Sequence, residues 1–393
     1  MNSFLIKIGK AWNTLKQEGF FSGGKKVLKY SSLYFKALLE NPEGDVLFLT
    51  MGLGDSARYR AFNQAEELNL KGIRSSVMIT DNPRLSKFAN LFKVFIFNRT
   101  LVTKNVQELI LEIKKQNKEI IFDTDDLVFD AKFMHQSESY QKMNSLQQKQ
   151  YKKGVGEEII NDPYVKTCTT TTSFIKNILE NQQKNVFLSL NKINKREVAI
   201  AENINGNKKQ EYSNEIKIGY FSGTMSHNKD FASISEPLYQ IMEKYPQVKL
   251  TLVGPLNVDD KLNNFKDRIY KSKLASIKKH YENISGVDIN LAPLEKNSPF
   301  CEAKSELKFF EAGIVKTPTV AIKNQTFSGA IEDGVDGFLA ETDQEWFEKL
   351  EKLILDENLR KGMGEKAYRK TLEEYTTKNA KNEEYYNYLK NKL

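Results

Sequence analysis

Cysteine and histidine are nearly missing from these 393 residues, with two of the first and three of the second. Cys168 and Cys301 lie far apart, and no metal-type spacing joins them. That pattern argues against a zinc site and points to a reducing compartment. Long apolar runs are also missing: no stretch of about 18 apolar residues occurs, so no segment reads as a bilayer span. The start, MNSFLIKIGKAWNTLKQEGFF, interrupts its apolar residues with Lys7, Lys10 and Lys16 and does not read as a secretory signal. Nucleic-acid motifs are absent despite a net charge of +8. There is no aromatic RNP-like run, helix-turn-helix signal or Cys/His finger, and lysines mostly alternate with glutamates, as in LEEYTTKNAKNEEYY. The expectation is a soluble or surface-bound cytoplasmic protein with no nucleic-acid partner.

What is present suffices for two cores. An apolar fraction of 40%, with 24 Phe and 17 Tyr, suits a chain too long for one ordinary domain. Residues 1–40 concentrate seven lysines against Glu18 and Glu40. Phe4, Ile8, Trp12 and Leu15 recur at helical spacing; after GFFSGG, Val27, Tyr30, Tyr34 and Leu38 do the same, with Lys25, Lys29 and Lys36 on another side. A basic amphipathic pair of this kind fits either an anionic membrane face or packing on the first domain.

From Asp45 onward strands and helices alternate. DVLFLTMGLG reads as a buried strand entering a glycine turn, SARYRAFNQAEELNLKG as a helix with Ser56 as N-cap, and SSVMIT, KVFIF and EIIFDT as further strands. Continuous apolar strands between helices mean a parallel sheet covered on both faces. Residues 191–214, Asn/Lys-rich and unpatterned, read as a linker. The alternation restarts with IKIGYFSG and VKLTLVG, and DKLNNFKDRIYKSKLASIKKHYE reads as a long basic helix. The predicted class is α/β, with two Rossmann-like domains in series. Ligands of such sheets sit beyond the carboxyl ends of the strands, so the cleft between two such domains and its strand-end loops are the place to look.

In YFSGTMSHNKDF, Gly223 permits close backbone approach, and Lys229 offers a point charge to a phosphate. In CEAKSELKFFEAG, a helix is expected to begin near Ala303 to Ser305. The free N–H groups of Ser305, Glu306 and Leu307 would then form an anion site. Glu311 shares a stripe with Lys304 and Lys308, and its carboxylate suits the two hydroxyls of a ribose. The alternative is a surface pair between Lys308 and Glu311. FDTDD contains Asp123-Thr124-Asp125, a spelling that elsewhere holds a divalent cation. Here Asp125 and Asp126 are read as lining the acceptor side, or as strand-end caps. His135 is the histidine near this loop.

Gly223 with Lys229 six residues on, and then EAKSELKFFEAG, resemble the C-terminal domain of GT-B glycosyltransferases, in particular the retaining family 4. Thr224 stands where that family usually has Arg. Its Glu–seven residues–Glu motif keeps the second Glu as Glu311, but Ala303 occupies the first position and Glu302 is one residue out of register. DSARYRAFNQAEELNLKG and KEIIFDTDDLVFD are similar to the branch found in bacterial surface-polysaccharide clusters.

The resemblance implies transfer of a sugar from a nucleotide donor to a hydroxyl of a glycan, lipid-linked or protein acceptor, with retention and without a metal cofactor. It divides the chain into a basic helical segment (1–44), an acceptor domain (45–190), the linker (191–214), a nucleotide-sugar domain (215–375) and a C-terminal helix (376–393) that packs back on the acceptor domain. Donor-side residues are then Gly223, Thr224, Lys229, Gly254, Ser305, Glu306, Leu307, Lys308 and Glu311. Gly52, Gly54 and Arg60 face the acceptor or the diphosphate, and Lys229, Asp125, Asp126 and His135 are the catalytic candidates. A non-catalytic partner subunit and a nucleotide-sugar epimerase are the rival readings; three histidines are few for the second.

Overall fold

The computed structural model describes residues 20–135, 138–141, 143–145, 148, 151–208, 214–223, 228–274 and 276–393. No helix among the described residues is long and apolar enough to cross a membrane. The chain forms two compact units. The first comprises residues up to 171, 175–189 and 382–393, and the second comprises 172–174 and 190–381. Each is built on a six-stranded parallel sheet, as the alternating pattern predicts.

In unit 1 the strands are β1 (Val46–Thr50), β2 (Ser75–Ile79), β3 (Val94–Asn98), β4 (Glu119–Thr124), β5 (Thr167–Thr170) and β6 (Asn185–Leu188), in the order β2-β1-β3-β4-β5-β6. Every residue of β1 and β3 is buried, because helices cover both faces of the central strands. Helix α1 (Phe20–Leu39) contacts β2 at one sheet edge. It docks through Tyr34, which is buried and donates its hydroxyl to Asp81, and Asn82 Nδ2 donates to the Leu38 carbonyl at 3.0 Å. An adjoining side of the helix carries a second apolar stripe: Leu28, Phe35 and Leu39 are 72%, 59% and 74% exposed. Residues 1–19, with the first amphipathic pattern, lie outside the described residues.

The helix predicted after β1 is broken into pieces. Gly54 is its N-cap and Ser56 lies inside the first turn, so Ser56 is not the cap. Arg58–Phe62 form a π-helical turn before α2 (Asn63–Leu70), and this wider turn carries Arg60 to the buried side.

Unit 2 contains β7 (Ile216–Phe221), β8 (Val248–Val253), β9 (Ile269–Ser272), β10 (Ile289–Ala292), β11 (Thr319–Ile322) and β12 (Phe338–Ala340), in the order β12-β11-β10-β7-β8-β9. Two expectations are corrected here. The linker 191–214 contains helix α3 (Lys195–Asn207), closed by a capping box between Asn194 and Glu197, and the division between units falls at 189/190. Its buried residues are only Glu197 and Ala201, so the hydrophobic pattern is weak and the cap signal is what marks it. The long basic helix at 260–282 is instead a 3-10 segment (Asp260–Arg268), strand β9 and helix α5, with α4 (Asn228–Ala232) preceding them in the chain and α5 spanning Ile277–Ser285. As an edge strand β9 is mostly exposed, so it carries Lys271 and lacks the apolar run by which buried strands are read.

Helix α6 (Leu307–Gly313) leans on β10 and β11. The chain then returns to unit 1, where α7 (Glu383–Lys390) places Tyr385, Tyr386 and Leu389 in the core with Phe48, Ala65 and Leu68. Tyr386 donates to Glu67 Oε1 at 2.6 Å and Tyr388 to Glu119 Oε1 at 2.6 Å.

Candidate active site

In unit 2, β7 pairs with β8 on one side and β10 on the other, so the sheet reverses its strand order there. Such a point opens a crevice at the carboxyl ends of the two strands. Lys308, on α6, sends its Nζ to the carbonyl oxygen of Phe221, the last residue of β7, and lies 4.7 Å from the Tyr220 ring centre. Asn290 of β10 holds α6 in register by donating Nδ2 to the Lys308 carbonyl at 2.9 Å. Burial lowers the Lys308 ammonium to about 8, although the nearby Glu311 carboxylate acts in the opposite direction. A half-desolvated cation at a strand end is well suited to a phosphate.

Lys229, on α4, extends from the β7 side to the loop after β10, where its Nζ is 3.7 Å from Glu295 Oε1. The next residue, Asp230, is buried and ties the same loop down, accepting from the Glu295 N–H at 3.0 Å and the Cys301 thiol at 3.3 Å. Burial pushes that thiol up to about 12, so it stays protonated as a donor. Glu311 does not point to bulk water beside Lys308. Its Oε2 is 3.2 Å from His280 Nε2, on α5.

Gly254 ends β8 at φ 98°, and a Cβ there would meet the Ser222 carbonyl at 1.9 Å. Only glycine lets the loops after β7 and β8 approach this closely. Gly223 is exposed at the end of β7; Thr224 and His227 lie outside the described residues.

The start of α6 differs from expectation. The helix begins at Leu307, with Glu306 as N-cap, after a separate turn at Pro299–Glu302. It has seven residues, and of the three N–H groups expected to form an anion cradle, that of Glu306 is taken by its own carboxylate. The Ser305 hydroxyl accepts from Asn191 Nδ2 at 3.0 Å. The Glu306 side chain turns inward, bonded to its own N–H and to Tyr375 near Lys192, and burial raises it to about 7. Glu306 is therefore a buried structural acid.

In unit 1 the largest correction is Arg60. It was expected to reach an anionic ligand, but the structure buries it completely. Its Nε and Nη2 donate to Asp123 at 3.2 and 2.5 Å, and its Nη1 donates to the Ser189 carbonyl at 2.6 Å. Asp123 also accepts from Asn98 Nδ2 at 2.8 Å and Thr169 Oγ1 at 2.7 Å. Asp125 stands at the carboxyl end of β4, partly exposed, 3.1 Å from Arg99 Nη1 and accepting from Ser56 Oγ at 3.2 Å. Asp126 caps the following turn through the Leu127 N–H at 2.7 Å and lies 3.7 Å from Arg99. Arg99 is a non-glycine residue at φ 41°, a backbone state uncommon outside glycine. His135 is bonded to the Lys152 carbonyl at 2.8 Å, holding its own loop and standing apart from the aspartates' hydrogen bonds. Gly52 and Gly54 lie in the β1 loop, with the Tyr30 hydroxyl beside Gly52.

Three residues escaped the sequence reading: His280, Asp230 and Arg99. His280 had a signal, since Ile277, His280, Tyr281 and Ile284 form the i, i+3, i+4, i+7 stripe of α5, and a histidine on that stripe faces protein. Asp230 and Arg99 had none, because their partners come from distant strand ends.

Residues 203–370 match the protein family described as Glycosyl transferases group 1. No curated protein matches the chain in sequence. Among solved structures it is similar to a glycosyltransferase from Rickettsia africae, at 15% identity and a TM-score of 0.61, over 89% of this chain and 99% of that one. It is similar also to the Anabaena protein HepE in complex with UDP, at 13% identity and a TM-score of 0.57, over 88% and 100% of the two chains. A third is sucrose-phosphate synthase from Thermosynechococcus elongatus, at 13% identity and a TM-score of 0.55, over 85% and 95%. Lys229, Lys308, Glu311 and His280 all fall inside the matched segment. The chain thus has the two-unit α/β fold of the GT-B glycosyltransferases, and its match to the group 1 glycosyltransferase family lies within the second unit.

Proposed function

We propose that the protein is a retaining glycosyltransferase that moves a sugar from a nucleoside-diphosphate donor to a hydroxyl of a surface glycan or lipid-linked acceptor. The observation that carries this reading is the grouping of Lys308, Lys229 and Glu311 at the strand-order reversal of unit 2, inside the family-matched segment. In the reaction the bond from the anomeric carbon to the diphosphate oxygen breaks. A bond to the acceptor oxygen forms on the same face, and the acceptor hydroxyl passes its proton to the departing diphosphate oxygen. Charge builds on the departing diphosphate, where Lys308 and Lys229 stabilise it. Glu311 holds the ribose, and ordered binding of donor and acceptor contributes the rest. HepE, with the same fold, has been crystallised with UDP, in keeping with a nucleotide at this place. Asp125, steadied by Arg99 and Ser56, is the acceptor-side group of unit 1.

The donor needs no resident metal in this reading, since Asp123 already accepts four hydrogen bonds from Arg60, Asn98 and Thr169 and is closed to a cation. The protein works in the cytoplasm at an anionic membrane. Support comes from the outward stripe of Leu28, Phe35 and Leu39 on α1, beside the exposed Lys25, Lys29 and Lys36. Incubation with a panel of nucleotide sugars, scored by released nucleoside diphosphate, tests the activity. In calorimetry, Glu311→Ala weakens nucleoside diphosphate binding roughly 10- to 150-fold, while Glu302→Ala barely changes it. Equal behaviour of the two variants removes Glu311 from the donor site.

A further inference from the structure

We infer that His280 is a positioning residue that sets the Glu311 carboxylate against the donor's ribose, an inference that rests on the donor reading above. An ionised carboxylate only accepts hydrogen bonds, so the imidazole Nε2, 3.2 Å from Oε2, carries the proton and donates. That contact orients the carboxylate plane. The imidazole is itself held: it meets the Phe221 ring edge-on, with centroids 5.8 Å apart and planes at 87°, and its neighbour Tyr281 is fully buried. Phe221 is also the residue whose carbonyl receives Lys308. Imidazole, carboxylate and ammonium are therefore all referenced to the end of β7.

A purely structural role, clamping α5 to α6, is the competing explanation, and it is unnecessary. Tyr281 and Ile284 already anchor α5 in the core, and Thr317 Oγ1, just beyond α6, donates to the Ile284 carbonyl at 3.1 Å. The His280–Glu311 pair lies at the accessible rim, the two side chains being 26% and 13% exposed. A rim pair adds little to folding, whereas a hydrogen bond that fixes a long, flexible carboxylate matters to a ligand that needs both oxygens in place.

The experiment uses the full-length protein and two probes: whichever of UDP, GDP and ADP binds wild type most tightly, and its 2′,3′-dideoxy analogue. Wild type prefers the ribonucleotide. In His280→Ala that preference falls roughly 3- to 10-fold, the scale of one lost hydrogen bond, while affinity for the dideoxy analogue stays at the wild-type value, which shows that the site is still folded. His280→Gln, whose Nε2–H can occupy the place of the imidazole N–H, restores the preference. Unchanged preference in His280→Ala, equal weakening of both probes, or a Gln variant that behaves like Ala overturns the inference. Glu311→Ala separates the two levels. If it abolishes the preference while His280→Ala keeps it, only the role of His280 is wrong. If it keeps the preference, the ribose contact fails and the proposal fails with it.

Discussion

Replacing Asp123 by Ala tests the unit 1 account most directly. The carboxylate accepts from Arg60 twice, at 3.2 and 2.5 Å, from Asn98 at 2.8 Å and from Thr169 at 2.7 Å. Its removal leaves a guanidinium with no solvent exposure and without the carboxylate that balances its charge, although it still donates to the Ser189 carbonyl at 2.6 Å. Taking one partner from a buried ion pair costs about 3–5 kcal/mol, because the other charge is stranded. For a unit of this size each kcal/mol lowers the melting temperature by roughly 2–4 °C, so unit 1 is expected to melt about 6–20 °C lower. Arg60→Met combined with Asp123→Leu should recover much of the loss, since the charge and its partner leave together. Scanning calorimetry of the full-length protein reads the stability, and nucleoside diphosphate titration reads the donor site proposed in unit 2, which the change should leave intact. An Asp123→Ala variant that melts within about 2 °C of wild type but no longer binds nucleotide would refute this reasoning, and would make Asp123 a ligand of the diphosphate or its metal.

Glu306 gives a pH prediction. Burial raises its carboxyl to about 7, so between its ordinary value and that point the folded protein holds a proton the unfolded chain has released. Its contribution to stability is therefore full below the ordinary carboxyl range and is lost as pH rises through about 7. Glu306→Gln should stabilise unit 2 by about 3 kcal/mol at pH 8 and hardly at all at pH 4.5; equal melting shifts at both pH values would contradict this. Turnover, once a donor is found, should survive EDTA, and complete loss reversed by Mn²⁺ would reinstate a metal-held diphosphate. Changing Leu28, Phe35 and Leu39 together to Ser should weaken binding to anionic vesicles by about 10²-fold or more, since each buried side chain contributes about 1.5–3 kcal/mol. Undiminished binding would move any membrane contact elsewhere.

The fold was legible where apolar strands alternate with helices, because strands such as β1 and β3 are buried on both faces and say so in every residue. It was illegible where a polar segment is ordered by caps, as at Asn194–Glu197, or where an edge strand has little to bury, as at β9. The site divided along the same physical line. Lys229, Lys308 and Glu311 could be placed near strand ends from the sequence because glycine turns and helix periodicity mark those ends in one dimension. Arg60 was misplaced because a π-helical turn redirects one side chain without leaving a mark in the sequence. The pairing of Glu311 with His280 joins two helices, and no local spacing encodes it.

The placement of α7 has a consequence for biosynthesis. Tyr386 closes on Glu67, 319 positions earlier, and Asn382 on Leu188, 194 positions earlier. The unit translated first is thus the one that must wait: its sheet can assemble on the ribosome, but the hollow meant for Tyr385, Tyr386 and Leu389 stays open while all of unit 2 is synthesised. At about 5–20 residues per second that interval is on the order of 10–40 s. During it the nascent chain presents an apolar recess that only its own distant helix, or a chaperone, can cover.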